Sequence, residues 1–77
     1  MALKELVQTI ATHLADNPSE VSVTEMAGEG STLLELRVAK SDIGKMIGRD
    51  GKTAQSIRTV IAAAAKAGQR AHLDILD

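Results

Sequence analysis

The chain has 77 residues, 44% apolar and 25% charged, with a net charge of −1, and it contains no cysteine and no aromatic residue. Such a length holds one small core and buries only about 60–65% of the unfolded surface, so modest stability is expected unless the chain self-associates. The missing side chains exclude a disulfide framework, thiolate metal sites, a cysteine nucleophile and an aromatic platform for stacking bases.

Leu3, Leu6, Val7, Ile10, Ala11 and Leu14 recur at helical spacing, which predicts an amphipathic helix over about 2–16 that faces a core. Asn17 is expected to cap it in the left-handed region, and Pro18 cannot continue it. Val21–Met26 alternates and is rich in β-branched residues, as a strand does. A loop over 27–31 follows, then a second strand over 32–39 with Leu34, Leu36 and Val38 on one face. The two strands should pair as an antiparallel hairpin. Leu33 falls on the opposite face, open either to edge packing or to a partner.

Ser41 is the expected N-cap of a short helix over about 42–47, with Asp42 in its first turn and Ile43, Met46 and Ile47 buried. A longer helix over about 52–66 carries a core stripe of Ala54, Ile57, Ile61, Ala64 and Ala65 and should stop at Gly68. Residues 71–77 alternate Ala71, Leu73 and Ile75 inward as a third strand, expected to return parallel to the second. Leu76 shares the outward set with Leu33. The expected architecture is α+β: a three-stranded mixed sheet covered on one face by three helices.

Between the second and third helices lies Ile47-Gly48-Arg49-Asp50-Gly51-Lys52. Glycine reaches positive φ and permits close backbone approach. The N-terminus of the following helix offers N–H donors and a positive dipole end to an anion. Arg49 and Lys52 add full charges, so a phosphate backbone is the expected guest, although Asp50 offsets one of them. Residues 37–70 hold eight basic and two acidic side chains, and the rest of the chain holds Lys4 against eight acids. A local positive field of this kind steers polyanions. Charge also divides unevenly by chance in a short chain, and composition alone does not choose.

These elements in this order resemble a KH domain of the type II arrangement, α-β-β-α-α-β, with residues 48–51 in the place of the family's Gly-x-x-Gly loop. Residues 1–77 are expected to be a single such domain. The stretch Leu34–Val38 leading into Asp42–Lys52 and Ala54–Arg58 is most similar to the small bacterial single-KH proteins of the KhpA family. The resemblance implies an RNA-binding protein whose loop clamps single-stranded RNA. It assigns Gly48 and Gly51 to backbone approach and Arg49 and Lys52 to phosphates. Ile43 and Ile47 become an apolar groove wall, and Lys45 and Arg58 further phosphate contacts. Because Asp50 sits in the clamp, weak and salt-sensitive binding is expected, with affinity gained by pairing modules. The resemblance further implies a homodimer, or a heterodimer with a Jag-type KH protein, acting as an RNA-binding adaptor, post-transcriptional regulator or RNA chaperone. The alternative is a protein-interaction module that keeps the KH fold and binds RNA weakly or not at all.

Gly51-Lys52-Thr53 matches the tail of a P-loop, but Met46 stands where that motif needs its first glycine. His13 and His72 have no metal-ligand spacing, and no catalytic constellation emerges. No enzyme, cofactor or metal is expected. No apolar run approaches the roughly 18–20 residues of a membrane span, and a cytoplasmic location is expected.

Overall fold

The computed structural model describes residues 2–77. Helix α1 (Leu3–Leu14) buries Val7 and Ala11 and packs Leu3, Leu6 and Ile10 against the same core. It ends two residues earlier than its periodicity implies. Ala15 turns extended, at φ −76° and ψ 143°, while its N–H still donates to the Ala11 carbonyl. Asn17 is not the left-handed cap expected of it. Its φ is −118°, and Pro18 opens a single turn of 3₁₀ helix over Pro18–Glu20.

Strands β1 (Ser22–Gly28) and β2 (Ser31–Arg37) zip antiparallel as far as Gly28 opposite Ser31. The expected five-residue loop is therefore only Glu29-Gly30, with Gly30 taking φ +74°. Strand β3 (Arg70–Leu76) lies parallel to β2, placing Leu73 beside Leu34 and Ile75 beside Leu36 in the order β1-β2-β3.

The crossover between the two parallel strands holds α2 (Ile43–Ile47) and α3 (Lys52–Ala64). Helix α3 buries Ala54, Ile57 and Ile61 but stops at Ala64, short of the expected end near 66. Ala64 is exposed and Ala65 lies outside the helix, so neither completes the core stripe read from the spacing. The physical reason is the return to the sheet, which is already fixed at Arg70 by its N–H donating to the Gly30 carbonyl at 2.9 Å. Gly68, at φ +82°, belongs to the turn that makes this return.

All three helices meet one face of the sheet. Leu34, Leu36, Met46, Ile61 and Val7 are fully buried there. Burying side chains of this size contributes roughly 1.5–3 kcal/mol each. The opposite face carries Ser22, Thr24, Met26, Leu33, Glu35, Arg37, His72 and Asp74, which are exposed or half-buried. Among the described residues, no helix is long and apolar enough to cross a membrane.

Candidate nucleic-acid interface

Helix α2 ends with the Gly48 N–H donating to the Gly44 carbonyl at 2.8 Å, and Gly48 then leaves at φ 75° and ψ 172°. Asp50 (φ 57°, ψ 26°) and Gly51 (φ 74°, ψ 11°) are left-handed as well, before Lys52 opens α3 in helical geometry. The Gly51 N–H closes the turn on the Gly48 carbonyl at 3.1 Å. The two glycines do different work. A Cβ on Gly48 would lie 2.2 Å from Thr53 Oγ1 and 2.8 Å from the Thr53 nitrogen, whereas one on Gly51 would meet nothing within 4 Å. Gly48 thus lets the end of α2 close onto the start of α3, and Gly51 supplies only a conformation.

Asp50 has a backbone role that its charge concealed. Short polar side chains tolerate the left-handed region better than most, and this loop needs such a residue at its third position. Arg49, Asp50 and Lys52 all stand exposed.

Beside the loop runs a groove of about 430 Å³, walled by Ile47, Gly51, Ala54 and Arg58 on the helical side and by Asp74, Ile75 and Leu76 on the strand side. Ile47, expected in the core from its spacing and on the groove wall from the family resemblance, is 42% exposed and lines the groove. Arg58 donates from Nη2 to the Leu73 carbonyl at 3.3 Å, which ties α3 to β3. Two residues singled out from the sequence lie elsewhere: Ile43 is half-buried against the core, and Lys45 Nζ pairs with Asp16 Oδ2 at 2.9 Å. Ala54, Ile75 and Leu76, read from the sequence only as packing or outward residues, and Asp74 also line this groove. The parallel return of β3 beside the crossover was the signal that could have found them. A second cavity, about 490 Å³, lies at the other end of α3 and includes Glu25 and Lys66 but no loop residue.

Strand β3 is an edge strand, and its hydrogen bonds fix which groups face the groove side. The Arg70 N–H donates to Gly30 and the Leu76 carbonyl accepts from Val38, so even-numbered residues point toward β2. Backbone groups alternate along a strand, so the Leu73 and Ile75 groups point to the free edge. Arg58 takes the Leu73 carbonyl, leaving the Ile75 N–H and carbonyl beside the apolar walls.

The other end of α2 is anchored by Asp42, which is fully buried. Its carboxylate accepts the Asp16 N–H at 3.1 Å, the Asn17 N–H at 3.0 Å and the Asn17 side-chain amide at 3.3 Å. Burial alone would push the Asp42 carboxyl up, but these hydrogen bonds, with Lys45 nearby, outweigh it and hold the pKa below its ordinary value. The hydrogen bond and charge of Asp16 hold the Lys45 ammonium above its ordinary value. Ser41, the expected cap, makes no cap hydrogen bond and meets the Asn17 amide instead, at 3.3 Å. Among the described residues, no group of three His, Cys, Asp or Glu side chains could hold a metal.

The α-β-β-α-α-β order, the mixed sheet and the glycine loop between α2 and α3 define a KH domain. The chain belongs to the KhpA/KhpB KH-domain family, whose profile matches residues 4–75. It is 51% identical over 75 residues to a protein of Clostridium acetobutylicum named RNA-binding protein KhpA, covering 96% of this chain and all (100%) of that one. Proteins of the same name from Treponema pallidum and Aquifex aeolicus are 48% and 43% identical, covering 96% and 99% of this chain and 94% and 98% of theirs. No solved structure matches the chain.

Proposed function

We propose that residues 1–77 act as one KH module that binds single-stranded RNA, with the loop 48–51 on the sugar-phosphate backbone and the bases in the adjoining groove. The observation that carries this reading is the exposed Arg49 and Lys52 on either side of Asp50 and the groove-lining Gly51, on a turn that opens a thirteen-residue helix. Phosphates meet the two cations and the positive end of α3. Ile47, Ala54 and Ile75 give the bases apolar contact in place of aromatic stacking, and the Ile75 edge groups are free to meet base edges. The relatives' name, RNA-binding protein, supports the same reading. Neither the groove nor the family points to catalysis.

A single module with few phosphate contacts binds weakly and with strong salt dependence. Pairing two modules raises affinity through effective concentration. A homodimer, or a heterodimer with a Jag-type KH protein, fits that need. The module then serves as a cytoplasmic adaptor in post-transcriptional regulation or as an RNA chaperone. The net charge of −1 and Asp50 within the loop favour a second reading, in which the fold chiefly assembles proteins.

The test is a titration of labelled single-stranded RNA at low and moderate salt, beside a variant with Arg49→Asp and Lys52→Asp shown by circular dichroism to be folded. Salt-sensitive binding by the natural chain, abolished in the variant, is expected. Equal behaviour of the two chains defeats the clamp and leaves protein assembly.

A further inference from the structure

Strand β1 is the sheet's other edge, separated from β3 by β2. Gly30 and Val38, which bracket β2, bond to β3, so the even-numbered residues of β2 face β3 and the odd-numbered ones face β1. Those odd-numbered residues stand opposite Ser22, Thr24, Met26 and Gly28. The N–H and carbonyl groups of Val23, Glu25 and Ala27 therefore point away from the sheet, and no helix or loop among the described residues bonds to them. Natural edges are commonly closed by lysine, by proline, by a bulge or by an inward-pointing charge. Strand β1 pairs with β2 over seven residues without a bulge and contains neither lysine nor proline. Its one guard is Glu25.

The side chains of Val23, Glu25 and Ala27 share the helix side of the sheet, where Val23 is buried but Glu25 and Ala27 are exposed. Glu25 and Ala27 border the cavity of about 490 Å³ whose other walls include Leu3, Ala64 and Lys66. The helix layer thus stops short of this edge, and a strand added to β1 finds a hollow for its own inward side chains. Charge selects that strand. From residue 5 to residue 36 the chain holds six acids and no lysine or arginine. The Glu25 carboxylate has no ion pair among the described residues, with Lys66 or otherwise, since the one pair is Lys45–Asp16. A second copy is a poor occupant. The antiparallel register that pairs all three free residues sets Glu25 against Glu25, and like charges directly opposite are destabilising. We infer that β1 binds an extended basic segment of another protein as a fourth strand, with a lysine or arginine beside Glu25 and its aliphatic stem over the cavity. The site shares no residue with the loop or the groove, so the inference stands whether or not the loop binds RNA.

The experiment titrates a labelled peptide, Lys-Val-Lys-Val-Lys-Val-Lys, with the whole chain and follows fluorescence anisotropy. A second peptide carries an N-methyl group on its central lysine, which keeps the charge and removes a backbone donor. The natural chain should bind the first peptide. Glu25→Lys, which exchanges an attraction for a repulsion, and the N-methyl group should each weaken binding on the order of tenfold. Glu25→Gln keeps the shape, should weaken binding less, and carries the test if circular dichroism shows Glu25→Lys unfolded. The loop variant with Arg49→Asp and Lys52→Asp should bind the peptide no less tightly than the natural chain. A natural chain that does not bind the peptide overturns the inference. So does equal binding by a folded Glu25 variant, or loss of binding in the loop variant. Equal binding of the methylated peptide overturns it too, because general charge attraction would then replace strand addition.

Discussion

Helix α2, five residues long, is held in opposite ways at its two ends. At its start Asp42 is buried and accepts three hydrogen bonds from residues 16 and 17, so the entry is fixed by groups hidden from solvent. At its end Gly48, Asp50 and Gly51 all take positive φ and the charged side chains stand in water. The helix is too short to be stable by propensity. Its anchor holds it in place, which leaves the loop free of any duty to the core beyond the contact of Gly48 with Thr53. Charge can then accumulate on the loop without weakening the fold.

Removing the anchor should have the largest effect. Asp42→Ala leaves the donors at 16 and 17 unpaired around a void, and a large fall in the thermal midpoint is expected, together with weaker RNA binding as α2 loosens. The pH dependence has a definite sign. A carboxyl with its pKa lowered by folding stabilises above its unfolded value of about 3.9, and this contribution disappears as pH falls through the lower folded-state value. Urea melts at successive acid pH values should show that loss, and Asp42→Asn should flatten it.

The next effect separates the two glycines. Gly48→Ala combines positive φ with a clash against Thr53 and should cost about 2–4 kcal/mol. Gly51→Ala faces open space and should cost only about 1–2 kcal/mol for its left-handed conformation. Equal losses in denaturant melts would contradict the different roles assigned to them. The smallest effect belongs to Lys45→Met, because the pair with Asp16 is largely in solvent, with side chains 48% and 70% exposed. Its midpoint should move little, and moderate salt should erase the difference.

Much of this molecule is legible in the chain because its signals are local. Leu34 and Leu36 alternate, Val7 and Ala11 lie one turn apart, and Gly48 and Gly51 mark a loop between helical runs. What stayed hidden depends on residues distant in sequence. Asp42 reads as an ordinary first-turn acid, and only the fold brings residues 16 and 17 to it. Arg58 reads as a free cation until β3 places the Leu73 carbonyl within reach. Ile43 and Ile47 are equally apolar, yet one turn of helix sends the first to the core and the second to the groove. The strand wall of the groove follows only from a further step, that β3 returning parallel to β2 becomes the sheet's edge beside the crossover.

That edge also turns β3 into a reporter that reads out every other residue. The amides of Arg70, His72, Asp74 and Leu76 face β2 and should exchange slowly with deuterium, while that of Ile75, on the opposite side, should exchange fast. A ligand seated in the groove would slow Ile75 and leave its even-numbered neighbours unchanged. The strand would thus record occupancy in its own backbone, without a label.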